Sequence, residues 1–246
     1  MRLRAAFFDI DGTLYREALL TQMFKKMINS DMIEKSVYND EVKEFYRLWR
    51  RRKGDYDDYL IKMAEIYIEA IEGLHYSQIE FVANKVIEQY GENVYTYTRD
   101  RIEWHKAQEH KVIGVSGAPF ELVKAMSKKY GFEDYIGTHY ELNLNQIYTG
   151  KFKPMWDSQN KKEAIADFVK KYNIALDYSF AYGDTNGDYD MLKMVGNPVA
   201  INPTKELLTR IAQDDKLSKK IKIVVERKDM VYHLDANCMN SLEENE

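Results

Sequence analysis

The segment from Ala5 to Ile10, "AAFFDI", constrains the fold of this chain more than any other. It is a short, nearly continuous apolar run closed by an acid and by the turn residue Gly12. Apolar text of that length without alternation is the pattern of a strand buried on both faces of a parallel sheet. The texture then changes. From about Tyr15 to Glu109 the chain is rich in Lys, Glu, Tyr, Met and Ile at helical spacing, without proline. Tyr59, Met63, Ile66, Tyr67 and Ala70 form one predicted helical stripe ending at Gly73; Ile79, Val82, Val86 and Ile87 form another, with Ser77 read as N-cap and Gly91 as stop. These stripes are core packing rather than cofactor boxes.

Strand-like text returns at "KVIGVSG" (111–117), and a helix follows from about Pro119 to Lys129. "YIGTHYELNLNQIYTGKF" predicts a strand and a β-hairpin excursion, and "NKKEAIADFVKKYN" predicts a helix. "YSFAYGD", "PVAIN" and "KIKIVV" then read as strands, the third as the last of the chain, with "DYDMLKMVG" and "TKELLTRIAQDD" as helices between them. Strand and helix alternate at the short spacing of βαβ units. The expected fold is therefore α/β, a doubly wound Rossmann-like parallel sheet, split by a small helical cap domain inserted after the first strand. The expected boundaries are 1–14 with 106–246 for the core and 15–105 for the cap.

At 246 residues the chain is long enough for a proper core, and its net charge of −4 argues against a dedicated nucleic-acid binder. Its lone cysteine, Cys238, allows no internal disulfide, and no Cys/His cluster suggests zinc. The apolar run at the N-terminus is too short and too soon acidic for a signal peptide, and no segment approaches a membrane span. A cytoplasmic protein with no membrane or nucleic-acid partner is expected, with a loose acidic end, "NSLEENE". Oligomeric state is not readable.

Four motif-like stretches fall at predicted strand ends, where open α/β sheets bind ligands. Asp9 and Asp11 would repel unless a cation lay between them, and Mg²⁺ prefers such oxygen ligands; a solvated turn is the plain alternative. In "VSGAP", Ser116 and the N–H of Gly117 can bond an anion near a helix N-terminus, although Ser116 could equally be a simple N-cap. Lys161 or Lys162 opens a helix, where the dipole disfavours a cation, so a partner is worth seeking; Lys151 and Lys153 are weaker candidates. "GDTNGDYD" supplies Asp184 and Asp188. It is not an EF-hand, because a strand precedes it and Val195 occupies the place of the bidentate glutamate.

Taken in order, "DIDGT", "VIGVSG", Lys161 and "GDTNGD" resemble the four motifs of the haloacid dehalogenase superfamily, and the insertion after the first motif resembles the cap of its phosphoserine-phosphatase-like branch. The resemblance implies a Mg²⁺-dependent phosphomonoester hydrolase acting on a small phosphorylated metabolite through an aspartyl-phosphate. In that reading Asp9 is the nucleophile and Asp11 the acid/base. Asp9, the carbonyl of Asp11 and Asp184 hold the metal, while Ser116, Gly117 and Lys161 bind phosphate and Asp188 orients the lysine or a metal-bound water. An acid at position 11 suits an alkoxide leaving group and disfavours a dehalogenase.

Tyr15, Arg16, Glu17 and Arg47 are candidate substrate-specificity residues, while the basic run Arg50–Lys53 reads more simply as a solvated face. The phosphoserine-specific members carry a glutamate shortly after the first motif. Here the aligned place holds Ala18, with Glu17 one residue earlier. A phosphotransferase or phosphomutase of the same superfamily is the alternative, with a phosphoryl-accepting regulatory domain or a non-catalytic binding protein behind it. The five histidines, His75, His105, His110, His139 and His233, share no ligand spacing and receive no role.

Overall fold

The computed structural model describes residues 2–37, 42–51, 53 and 56–235. Arg52, Cys238 and the acidic end "NSLEENE" lie outside the described residues. The first strand, β1 (Ala5–Phe8), is followed by six helices: α1 (Leu19–Asn29), the single turn α2 (Lys35–Val37), α3 (Lys43–Arg50), α4 (Tyr56–Ile71), α5 (Tyr76–Tyr90) and α6 (Thr96–Ala107). Then come β2 (Lys111–Pro119), α7 (Phe120–Tyr130) and the hairpin β3 (Asp134–Leu142) with β4 (Tyr148–Lys153). The chain continues through α8 (Ser158–Tyr172), β5 (Phe180–Gly183), α9 (Tyr189–Met194), β6 (Asn197–Ile201), α10 (Lys205–Ala212), β7 (Lys222–Arg227) and β8 (Met230–Leu234).

The strands form one sheet in the order β4-β3-β2-β1-β5-β6-β7-β8. Its six inner strands are parallel, and β4 and β8 pair antiparallel at the two edges. Along β1 the side chains alternate between faces, as the pleat requires. Ala5 and Phe7 join the core under α8, α9 and α10, with Ile165, Met191 and Leu207. Ala6 and Phe8 join the core on the other face, with Leu19, Ile79, Leu122 and Met126. Both faces are covered, so the α/β doubly wound fold stands as expected. The strand order reverses at β1, between β2 and β5, which places a crevice beyond the C-terminal ends of β1 and β5.

Several local expectations change. "KIKIVV" is not the last strand, because Lys228 and Asp229 turn the chain and "MVYHL" returns as β8. That turn carries no Asn-Gly or Gly signal; instead Lys228 itself adopts a left-handed φ of 56°. Helix α5 is capped by His75, whose ring accepts from Ser77 N at 3.2 Å, so Ser77 lies inside the helix. Pro119 stands at the N-cap of α7 and not inside its first turn. On α4, Ala70 is only half-buried and Ile71 takes the inward position. Among the described residues, no helix is long and apolar enough to cross a membrane.

Candidate active site

The chain leaves β1 and turns at once. Ile10 O accepts the N–H of Leu14 (2.9 Å) and of Tyr15 (2.7 Å), and Gly12 adopts φ +77°, a conformation that costs any residue with a Cβ. A Cβ on Gly12 would run into the Asp184 carboxylate. Glycine is therefore required here twice, by the turn and by the close approach of an acid from the end of β5.

Four segments meet in this crevice. Lys161 Nζ donates to Asp9 Oδ1 at 2.8 Å and to Asp188 Oδ1 at 2.6 Å, and all three side chains are buried. Asp9, Asp184 and Asp188 each offer a carboxylate oxygen within 4.8 Å of the others. Of the candidate lysines, Lys161 enters the cluster, whereas Lys162, Lys151 and Lys153 are exposed. Its helix is positioned by Asp157, whose side chain caps α8 by accepting from Asn160 N at 2.8 Å, and by Ser158, which donates to Asp190 at 2.7 Å. Asp188 uses its other oxygen to accept from the backbone N–H of Asp184 and of Thr185, both at 3.1 Å. It thus ties the lysine to the turn that carries Asp184.

Burial dominates the electrostatics. Three carboxylates face one ammonium, a surplus of two negative charges out of water. Desolvation, opposed by Lys161 and reinforced by Asp188, lifts Asp9 to about 6. Asp184 is raised well above the ordinary range by burial and then by Asp9 and Asp188. Burial works against the Lys161 charge, but Asp188 and Asp9 outweigh it and hold its pKa above the usual lysine value. The side chain of Asp11 accepts from Leu19 N at 2.9 Å, at the start of α1. Burial still lifts it to about 7, against that hydrogen bond.

Ser116 is fully buried within β2, its Oγ accepting from Ala118 N at 3.3 Å. Gly117 is covered by Trp156, whose Cβ lies 2.8 Å from where a Gly117 Cβ would stand. The four specificity candidates are not gathered together. Tyr15 is buried in the core; Arg16 bonds Glu226 at 3.0 Å and Val94 O at 2.9 Å; Glu17 accepts from Gln22 at 3.0 Å; and Arg47 pairs with Glu44 on an exposed helix face. Sequence reasoning missed Thr13, which donates to Asp184 Oδ1 at 2.9 Å, although it stands inside "DIDGT". It also missed Glu226, a lone acid at the end of β7 with no surrounding pattern.

A family model described as haloacid dehalogenase-like hydrolase matches residues 6–193, through the segments that build this crevice. The chain belongs to the haloacid dehalogenase-like hydrolases. It is an enzyme of that family, and the superfamily resemblance read from the four motifs stands. The "Inhibition of morphological differentiation protein" of Streptomyces azureus is 25% identical over 206 residues, covering 82% of this chain and 73% of that protein. A phosphoserine phosphatase of Mycobacterium tuberculosis is 23% identical over 211 residues, 82% of this chain and 66% of its own length. Among solved structures, a Bordetella pertussis protein of unknown function superposes with TM-score 0.69 at 19% identity, over 87% of this chain and 96% of that one. A substrate-bound phosphoserine phosphatase superposes with TM-score 0.58 at 17% identity, over 85% and 91%. These structures share the fold of this haloacid dehalogenase-like hydrolase.

Proposed function

We propose that this hydrolase is a Mg²⁺-dependent phosphatase that cleaves small, cytoplasmic phosphomonoesters through an aspartyl-phosphate on Asp9. The observation that carries the proposal is the Lys161 ammonium bonded to both Asp9 and Asp188, with Asp184 alongside. The cluster joins an acid nucleophile, a cation for a phosphoryl group and a hard-oxygen donor set at one switch point. The donor set fits Mg²⁺: oxygen ligands only, buried, and with a surplus of negative charge that one lysine does not cancel. Asp9, the carbonyl of Asp11 and Asp184 would hold the ion. When bound, the ion offsets the repulsion between a carboxylate and an incoming phosphate.

In the first step an Asp9 oxygen attacks phosphorus, the bond from phosphorus to the leaving oxygen breaks, and Asp11 donates its proton to that oxygen. A carboxyl lifted to about 7 is poised between its protonated and ionised forms at neutral pH, which suits a group that gives a proton and then takes one. In the second step Asp11 takes a proton from water; the water oxygen attacks phosphorus, and the bond to Asp9 breaks to release phosphate. Lys161, the Ser116 hydroxyl and the Gly117 N–H bind the phosphoryl oxygens as charge gathers on them. Asp188 orients the lysine. The helical insertion 15–105 acts as the cap over the core formed by 1–14 and 106–246, and excludes water from the reaction.

Phosphoserine is not favoured as substrate. Ala18, at the aligned glutamate place, is buried at the N-cap of α1, and Glu17 is exposed and bonded to Gln22. The test is Mg²⁺-dependent release of phosphate from an aryl phosphate and from a panel of phosphorylated metabolites. D9N and D11N should each lose at least about a hundredfold in kcat. Full activity in either variant refutes the mechanism, and transfer of the phosphoryl group to an added alcohol in place of water would make the protein a phosphotransferase.

A further inference from the structure

Glu226, at the C-terminal end of β7, belongs to none of the four motifs, yet its buried carboxylate accepts three hydrogen bonds from residues distant in the chain. Its side chain is 4% exposed. Oε1 accepts from Arg16 Nη2 and from Thr96 N, both at 3.0 Å, and Oε2 accepts from Tyr97 N at 2.8 Å. Those donors come from the two places where the chain crosses between the sheet and the helical insertion. Arg16 lies on the outgoing crossing; Thr96 and Tyr97 open α6 on the returning one. The crossings are also bonded to each other, Arg16 Nε to Val94 O at 2.9 Å and Arg16 N to Asn93 O at 3.1 Å. Glu226 is itself anchored to the sheet, because its N–H donates to Asn202 Oδ1 at 2.9 Å, just beyond β6.

The next residue of α6 extends this network to the acid cluster. Thr98 Oγ1 donates to Thr13 O at 2.9 Å, and Thr13 Oγ1 donates to Asp184 Oδ1 at 2.9 Å. Thr13 and Thr98 are fully buried, and Asp184 nearly so. The hydroxyl of Thr13 selects which Asp184 oxygen turns toward it and leaves the other packed against Gly12, where no side chain has room.

We propose that Glu226 is a positioning residue that locks both chain crossings to the sheet and, through Thr98 and Thr13, sets the orientation of the Asp184 carboxylate. A negative charge at the first turn of α6 is favoured by the helix dipole, and three donors on one buried carboxylate leave it a single orientation. The partners that orient a metal-binding carboxylate commonly change ion affinity or activity by about 10- to 100-fold when removed. Glu226 acts at two further removes, through Thr98 and Thr13, so a smaller effect is expected from its loss. The kinetic consequence rests on the phosphatase reading; the effect on ion affinity rests on the Asp184 ligand role alone.

The test compares E226Q, T98V and T98S with the wild type. Mg²⁺ binding is measured by calorimetry on the folded proteins, and kcat and KM are measured on an aryl phosphate at saturating Mg²⁺. E226Q and T98V should weaken Mg²⁺ binding about three- to tenfold and lower kcat by a similar factor, with KM within about twofold; T98S should restore both. If E226Q does not fold, R16M, which removes one of the three donors, takes its place. Variants that lose melting temperature but keep wild-type Mg²⁺ affinity and kcat would show Glu226 to be a helix cap only, and overturn the proposal. So would a T98S protein indistinguishable from T98V. A wild-type protein that binds Mg²⁺ but releases no phosphate would instead sink the phosphatase reading, and the comparison of ion affinities would still decide the role of Glu226.

Discussion

Replacing Lys161 by methionine keeps the length of the side chain and removes its charge. Its Nζ bonds two buried carboxylates, at 2.8 and 2.6 Å, with side chains 6% exposed or less. Without it, Asp9, Asp184 and Asp188 share a water-poor site with no cation. Breaking a buried pair from one side costs about 3–5 kcal/mol, because an uncompensated charge is left behind. The acids have one escape, which is to protonate. Lys161 is the largest influence holding Asp9 down, so its loss carries Asp9 further above the value of about 6 that it has in the intact site. The loss of stability in K161M should therefore be largest near pH 8, where keeping the acids charged is costly. It should shrink toward pH 5 by about 1.4 kcal/mol for each pH unit over which one acid takes up its proton. The assay is urea unfolding in the presence of a chelator at pH 8 and pH 5, repeated with Mg²⁺, which should recover part of the loss. Activity should fall at least about a hundredfold. K162M is the control, since Lys162 is exposed and should change stability by less than about 0.5 kcal/mol. A K161M loss below about 1 kcal/mol at pH 8 in chelator, a loss independent of pH, or an equal loss in K162M would refute the reasoning.

Three further outcomes follow from the same geometry. G12A should lose at least about 1–2 kcal/mol from its left-handed φ alone and should bind Mg²⁺ poorly, because its methyl displaces Asp184; melting and calorimetry check both. Mg²⁺ at a hundred times its dissociation constant should stabilise the wild type by about 2.7 kcal/mol and leave the Asp184→Asn protein nearly unchanged, as read by thermal shift. His105 is buried, its Nδ1 2.8 Å from the His110 Nδ1 and its Nε2 2.8 Å from the Tyr182 hydroxyl, and burial lowers it from 6.5 to about 3. The unfolded chain takes up this proton as pH falls through 6.5 and the folded one does not until about 3. The stability is thus complete above pH 6.5 and falls by about 2 kcal/mol by pH 5; H105Q should flatten that slope in urea titrations at the two pH values.

The fold and the acid cluster were largely legible in the sequence, and for a local reason. A double-sided buried strand, a left-handed turn at glycine and an acid at a strand end are all written within a few adjacent residues, as in "AAFFDIDGT" and "FAYGDTNGD". The hairpin β3–β4 was legible from its alternation and its asparagines. β8 was not recognised as a strand, because the Lys228–Asp229 turn carries no Asn-Gly or Gly signal. His75 was not legible as a cap, because histidine caps α5 only through the particular ring geometry that meets Ser77 N.

The sequence by itself determined which strands are buried on both faces, where the acids stand relative to strand ends, and that a helical insertion follows β1. Tertiary structure decided the rest. It chose Lys161 over Lys162, because only one of two adjacent helical positions faces the sheet. It turned Asp11 to the start of α1, and it brought Arg16 to Glu226 across 210 residues of chain. A hydrogen bond between lone residues that far apart leaves no periodicity and no spacing to read; it exists only once the strand order has placed the ends of β1 and β7 on the same rim.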